Sequence, residues 1–208
     1  MVHHSCLGVI LAGGASTRMG RDKALLSRLN TDKTAPDETM LSFSKGLLQK
    51  LAIKTTVISG EKFGLKDKIP HMGPLGGIYS VIKKHPAKAL LITPIDLPLL
   101  TVTALAQLKN IGELSNKACF YQNQFLPLYL PINGFVEQFF AEHFTHLTST
   151  DSANRPSNLK APSIRSLLTC IPNHAIACPT DKSLYNANTP EQWRYAQLQL
   201  TGIKRKYV

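Results

Sequence analysis

The 208-residue chain is 43% hydrophobic and 18% charged, which excludes a disordered segment and supplies enough apolar residues for one sizeable core. Its formal net charge of +11 selects anionic partners, but the cations are scattered, with short knots at Lys83-Lys84 and Lys204-Arg205-Lys206 that read as solvated surface; no basic stripe or stacking motif calls for nucleic acid. Polar residues and prolines interrupt the uncharged run from Ala118 to Val136, which excludes a membrane span, and four cysteines without C-x-x-C spacing argue for a reduced, cytoplasmic compartment rather than a zinc or redox site.

The chain opens with a short apolar run, Cys6 to Leu11, that suits a buried strand. It breaks into Ala12-Gly13-Gly14-Ala15-Ser16, small residues that let backbone pass close to a ligand, with Arg18, Arg21 and Lys23 just beyond. N–H groups of such a loop can point at phosphates while the cations neutralise them, so the stretch reads as a nucleotide site. Neither G-x-x-x-x-G-K-[S/T] nor G-x-G-x-x-G is present, so a P-loop and a dinucleotide fingerprint are both excluded.

The stretch from Leu11 to Leu26 does match L-A-G-G-x-S-x-R-M-G-x-D-K-A-L-L without a gap over about sixteen positions. It resembles the signature of the molybdenum cofactor guanylyltransferases, the MobA-type nucleotidyltransferases. The resemblance implies that Leu11, Ala12, Gly13 and Gly14 border the nucleotide. It also implies that Lys23 meets the phosphates and that Arg18 stabilises departing pyrophosphate. A related cytidylyltransferase group has L-A-A-G, so Gly13 favours guanine.

Arg28–Thr39 is polar and reads as a loop inserted into the family pattern. Met40–Leu51 has near-helical apolar spacing, and Thr55–Ser59 is a strand expected beside the first. After it, Glu61 falls where the family usually has Asn; a carboxylate there can accept from guanine N1–H and N2–H but would repel a triphosphate. The following Asp-x-x-Pro-x-x-Gly-Pro-Leu-x-Gly pattern, Asp67 to Gly77, again resembles the guanylyltransferases. It implies contacts to base or ribose from Asp67, Gly73, Pro74 and Leu75, with Pro74 in the first turn of a helix running to about Lys84.

Ala89–Thr93 reads as a central parallel strand ending in Pro94-Ile95-Asp96-Leu97-Pro98. Ligands collect outside the carboxyl ends of such strands, and the flanking prolines stiffen the loop around Asp96. Thr101 is the expected cap of the next helix, Thr101–Asn110, leaving Asp96 free. The family shows P-C-D-x-P here, implying that Asp96 holds magnesium; Ile95 takes the Cys position.

Ala118–Tyr121 and Phe125–Tyr129 read as an antiparallel pair at the sheet edge, and Asn133–Phe144 as an amphipathic helix whose His143, like nearby His146, is a surface histidine. Thr148–Pro162 is loop-like, Ser163 caps a short helix containing Arg165, and Ala175–Cys178 reads as a strand. Arg165 has two readings, a contact to an anionic acceptor or a solvated surface residue. Asn186-Ala187-Asn188-Thr189-Pro190-Glu191 resembles the family's N-x-N-T-P-E element. Capping by Thr189 and Gln192 explains its end, but not Asn186 and Asn188, which are candidate oxygen ligands for a metal.

Together these readings predict an α/β fold: a single Rossmann-like nucleotidyltransferase domain over residues 1–208, three-layered, with a mostly parallel sheet and an antiparallel edge. The resemblance implies Mg2+-dependent transfer of GMP from GTP to the terminal phosphate of the molybdopterin cofactor, giving the guanine dinucleotide form and pyrophosphate. Catalysis would fall to Arg18, Lys23 and Asp96. Cofactor-delivering or molybdoenzyme-maturation proteins are the implied protein partners. Alternatives are a nucleotidyltransferase with another base or acceptor, of cytidylyl or sugar-phosphate type, and a non-catalytic protein that binds a nucleotide or the cofactor.

Overall fold

The computed structural model describes residues 5–13, 19–30, 34, 36–144 and 161–201. A six-stranded sheet runs through it. Strand β1 (Leu7–Leu11) is buried along its whole length, as a run of large apolar residues requires when both faces of a parallel sheet are covered. It pairs in parallel with β4 (Thr56–Ser59) on one side and with β5 (Ala89–Pro94) on the other. The connection to β4 passes through α1 (Met40–Lys50), and the connection from β4 to β5 through α2 (Gly73–Lys84). These helices lie on opposite faces, so the winding reverses at β1. In open α/β sheets the crevice at such a reversal is where ligands bind.

Beyond β5 come β7 (Gln124–Pro131), β6 (Ala118–Tyr121) and β8 (Asn173–Ile176), giving the order β4-β1-β5-β7-β6-β8. The expected pairing of 118–121 with 125–129 is present and antiparallel, but it lies inside the sheet. Strand β7 is antiparallel to both β5 and β6, and β8 then covers β6 in parallel. The final strand also begins two residues earlier than the apolar pattern predicted: Asn173, His174 and Ala175 are exposed at this rim, and only Ile176 is buried.

One core packs α2, α4 (Gly134–Phe144) and α5 (Ile164–Cys170) on one face of the sheet; Leu7, Val9, Leu90 and Ile92 point into it. Alternate residues Ile10, Ala89 and Leu91 point the other way, against α1 and α3 (Val102–Ser115). The caps are those expected. Thr101 Oγ1 accepts from the Ala104 N–H, Ser163 and Ser166 form a capping box, and Thr189 and Gln192 form another at the start of α6 (Pro190–Leu200).

Part of the segment expected as an inserted loop is strand. Two-residue strands β2 (Ser27–Arg28) and β3 (Glu38–Thr39) pair antiparallel, and Gln197 of α6 bonds the backbone of Leu29 and Ser27. Arg28 is only 5% exposed. Its guanidinium lies 3.7 Å over the Phe43 ring, near Glu38, while its Nε donates to the Pro98 carbonyl at 2.7 Å. The insertion is thereby pinned to the end of the Asp96 loop.

His143 stacks on Phe139 and its Nδ1 lies 2.9 Å from the Phe139 carbonyl oxygen, while His146 and most of the 148–162 loop lie outside the described residues. All four cysteines are free, and burial pushes the Cys6 and Cys119 thiols up to about 11. Among the described residues no helix is long and apolar enough to cross a membrane.

Candidate active site

The carboxyl ends of β1, β4 and β5 meet at a crevice. Ala12 N–H bonds the Ser59 carbonyl at 2.8 Å and Ile95 N–H bonds the Leu11 carbonyl at 3.2 Å, so the three strand ends are locked to one another. Gly60 makes the first of these approaches possible: a Cβ there would stand 2.9 Å from the Gly13 nitrogen, and its φ of +147° is one that side chains rarely adopt. Gly13 differs. A Cβ on it would meet only ordinary contacts, Gly60 Cα at 3.7 Å and the Ser59 carbonyl oxygen at 3.9 Å. The fold therefore leaves room for a side chain at Gly13, and the empty space belongs to the crevice.

Asp22 caps a 3-10 turn, Lys23–Leu25, by accepting from the Ala24 N–H at 3.0 Å. This turn carries Lys23 back over the strand ends. Its ammonium stands 3.5 Å from Asp96 Oδ2 and donates a short hydrogen bond to Asn188 Oδ1. The Ala187 N–H bonds the Asp96 backbone carbonyl at 2.9 Å, which holds the Asn186–Asn188 segment against the Asp96 loop. The other carboxylate oxygen, Asp96 Oδ1, is buried and has no hydrogen-bond partner. A buried carboxylate oxygen left unpaired is costly unless a cation completes it.

Two cavities flank the divider made by Leu11, Gly13 and Pro74. The central one, about 540 Å3, is lined by Ala12, Asp22, Lys23, Asp96, Gln124 and Asn186 among others. Its neighbour, about 650 Å3, is lined by Ser59, Gly60, Glu61, Asp67, His71 and Gly73 among others. Burial raises the Asp67 carboxyl above the usual range, and a hydrogen bond from Ser59 Oγ at 3.5 Å partly offsets that. Glu61 does line this neighbour, at its mouth; Lys66 pairs with it at 2.5 Å, which neutralises the carboxylate expected to repel a triphosphate.

The structure thus brings together Leu11, Ala12, Gly13, Lys23, Pro74, Asp96, Asn186 and Asn188, with Asp67 and Gly73 next door. Leu75 lines neither cavity. Its side chain is fully buried in the core, leaving only its backbone for a ligand. Gly14 and Arg18 lie outside the described residues. Sequence reasoning passed over Asp22, whose cap builds the Lys23 turn and which pairs with Lys62 at 2.9 Å; its place in the Gly-x-Asp-Lys run was the available signal.

A family model for the MobA-like NTP transferase domain matches residues 8–135. A molybdenum cofactor guanylyltransferase from Xanthomonas euvesicatoria pv. vesicatoria is 32% identical over 192 residues, spanning 89% of this chain and 91% of that protein. A probable molybdenum cofactor guanylyltransferase from Methanothermobacter thermautotrophicus is 31% identical over 122 residues, 53% of this chain and 59% of that protein. Among solved structures, molybdopterin-guanine dinucleotide biosynthesis protein A from Archaeoglobus fulgidus superposes with a TM-score of 0.60 at 14% identity, covering 95% of this chain and all 100% of that one. The 2-C-methyl-D-erythritol 4-phosphate cytidylyltransferase of Thermus thermophilus gives 0.64 at 11% identity, covering 96% and 99%. The two structures establish a shared fold.

Proposed function

This chain belongs to the MobA-like NTP transferase family, and we propose that it transfers GMP from GTP to the terminal phosphate of the molybdopterin cofactor. The products are the guanine dinucleotide cofactor and pyrophosphate. An oxygen of the acceptor phosphate attacks the α-phosphorus, and the bond from that phosphorus to the α,β-bridging oxygen breaks. One observation carries the reading: Lys23 and Asp96 line one cavity beside Gly13, and the Lys23 ammonium meets both Asp96 and Asn188.

The residues fit a magnesium ion. The orphaned Asp96 Oδ1 is a hard anionic donor, and Asn188 and Asn186 offer neutral amide oxygens nearby. Among the described residues no group of three His, Cys, Asp or Glu side chains gathers, so the donors suit a cation that keeps waters and shares substrate phosphates. When bound, Mg2+ supplies positive charge to the phosphate oxygens.

The chain's own residues position and neutralise. Lys23 turns from Asp96 and Asn188 to the triphosphate as a compact point charge. Arg18 stabilises the leaving pyrophosphate, and Gly13 and Gly14 let the nucleotide lie close to the loop. Asp67 and Glu61 face the nucleoside as acceptors for the N–H groups of guanine and the ribose hydroxyls, and Gly73, Pro74 and Leu75 border it with backbone. The whole acts as one nucleotidyltransferase domain. The reading carries with it a cytoplasmic setting and hand-over of the product to molybdoenzyme-maturation proteins.

Thermal unfolding with GTP, CTP and ATP, each with and without Mg2+, tests the nucleotide half of the reading, since a ligand of the native state raises the midpoint by mass action. A magnesium-dependent rise confined to GTP is expected. Equal rises with all three, or a preference for CTP, would contradict it.

A further inference from the structure

Lys23, Asp96 and Asn188 come from three segments of chain, and the same three segments are joined a second time outside the cavity. Strand β2, which follows the Lys23 turn, presents Arg28, whose Nε donates at 2.7 Å to the carbonyl of Pro98, just beyond Asp96. Helix α6, which follows Asn188, presents Gln197 to the backbone on either side of Arg28. Its Nε2 donates to the Ser27 carbonyl at 2.6 Å, and its Oε1 accepts from the Leu29 N–H at 3.0 Å. One set of contacts joins the functional groups, and the other joins the segments that carry them.

Fold stability does not account for a cation at this place. Among the described residues Arg28 is the one charged residue that is buried. Its counter-charge, Glu38, stands 3.5 Å away on a side chain 29% exposed, and the Phe43 ring covers the guanidinium. Desolvating a guanidinium costs free energy that one loose ion pair does not return, and an apolar side chain of similar volume often serves a core as well or better. What an apolar side chain lacks is direction. The planar guanidinium, packed on Phe43, aims its N–H groups at two backbone carbonyls, that of Pro98 and, at 3.3 Å, that of Leu29.

We propose that Arg28 and Gln197 are positioning residues for the transfer reaction: they hold the Lys23 turn, the Asp96 loop and the Asn188 segment in register with one another. The proposal rests on the guanylyltransferase reading and gives the inserted β2–β3 segment a task. Neither residue lines the central or the nucleoside cavity, so they act on the chemistry through Lys23, Asp96 and Asn188. Misplacing such groups by about 1 Å costs about a hundredfold in rate.

Arg28→Met and Gln197→Leu test it, beside Glu38→Gln, which removes the counter-charge but leaves both clamp residues in place. Each is assayed with GTP, Mg2+ and molybdopterin well below its unfolding midpoint. Arg28→Met should lower kcat about a hundredfold and Gln197→Leu about tenfold, with the KM for GTP changing far less. The magnesium-dependent part of the GTP-induced rise in midpoint should shrink in both, a reading that needs no turnover. Glu38→Gln should keep kcat within about twofold of wild type. Wild-type kcat and a wild-type magnesium-dependent rise in Arg28→Met and Gln197→Leu, with lower midpoints only, overturn the proposal, because the residues then serve the fold alone. An equal loss of kcat in Glu38→Gln also overturns it, because the integrity of the β2–β3 pair is then what matters. Should Arg28→Met not fold, Gln197→Leu, at a half-buried position of α6, decides by the same readings. If wild type gains no magnesium-dependent stability from GTP, the underlying reading fails and the clamp with it. If it gains that stability but transfers nothing to molybdopterin, only the acceptor is misassigned, and the midpoint readings still decide the clamp.

Discussion

Lys23 and Asp96, 73 positions apart, meet with Nζ 3.5 Å from Oδ2, and the same ammonium reaches Asn188, 165 positions away. Three segments of chain thus share one cation, and on the proposed reading that cation is the counter-charge offered to a substrate phosphate. The pair is half-buried, with side-chain exposures of 18% and 21%, so both groups keep a path to the cavity.

Replacing Lys23 by Met leaves Asp96 without its cation. The expected outcome is a fall in kcat/KM for GTP of roughly a hundredfold or more, the usual effect of losing a charge directed at a transferring phosphate. Magnesium alone should raise the unfolding midpoint of this variant more than that of wild type, because the metal no longer competes with Lys23. Calorimetric scans with and without the metal check this.

Asp96→Asn should lower turnover by at least about a thousandfold while leaving the fold in place. The reason is specific: the bond that ties the Asn186–Asn188 segment to this loop uses the Asp96 backbone carbonyl, not its side chain. Turnover close to wild type in this variant would remove Asp96 from the metal site.

Gly13 and Gly60 touch each other yet should respond oppositely to alanine. Gly13→Ala finds only ordinary contacts, so its unfolding midpoint should stay near wild type while GTP affinity falls relative to CTP. Gly60→Ala is forced onto the Gly13 nitrogen at a φ of +147° and should lose about 2 kcal/mol or more of stability. Denaturant titration and nucleotide binding separate the two effects.

Asp67 gives a pH signature. Burial raises its carboxyl above the unfolded value, so ionisation opposes folding. Its cost is absent at pH below the ordinary carboxylate range and grows as pH rises through the raised folded value. Asp67→Asn should therefore unfold at a higher temperature than wild type at neutral pH, the two should converge in acid, and the variant should bind GTP less well. A variant less stable at neutral pH would contradict the assignment.

Much of this was legible in the sequence wherever local physics decides. The buried strands Leu7–Leu11 and Ala89–Pro94 announce themselves as apolar runs, and Thr101 and Thr189 cap as their types and spacing require. The interior place of the β6–β7 pair was not legible, because β7 inserts between β5 and β6 while β8, more than fifty residues further along, docks beside β6 and becomes the edge. The start of the last strand at Asn173 was not legible either, because an exposed rim strand lacks the apolar alternation that marks its partners. At the site, motif residues marked Lys23, Asp96 and Asn188 separately. Their joint contact, and the Lys66 partner that quiets Glu61, are tertiary facts that no spacing encodes.

The central claim is tested most directly by incubating the protein with Mg2+, molybdopterin and GTP labelled at the α-phosphate. The account predicts label in a guanine dinucleotide of the cofactor, with one unlabelled pyrophosphate released per transfer and no comparable product from CTP. Label transferred from CTP instead, or transfer only to a different acceptor such as a sugar phosphate, would contradict it.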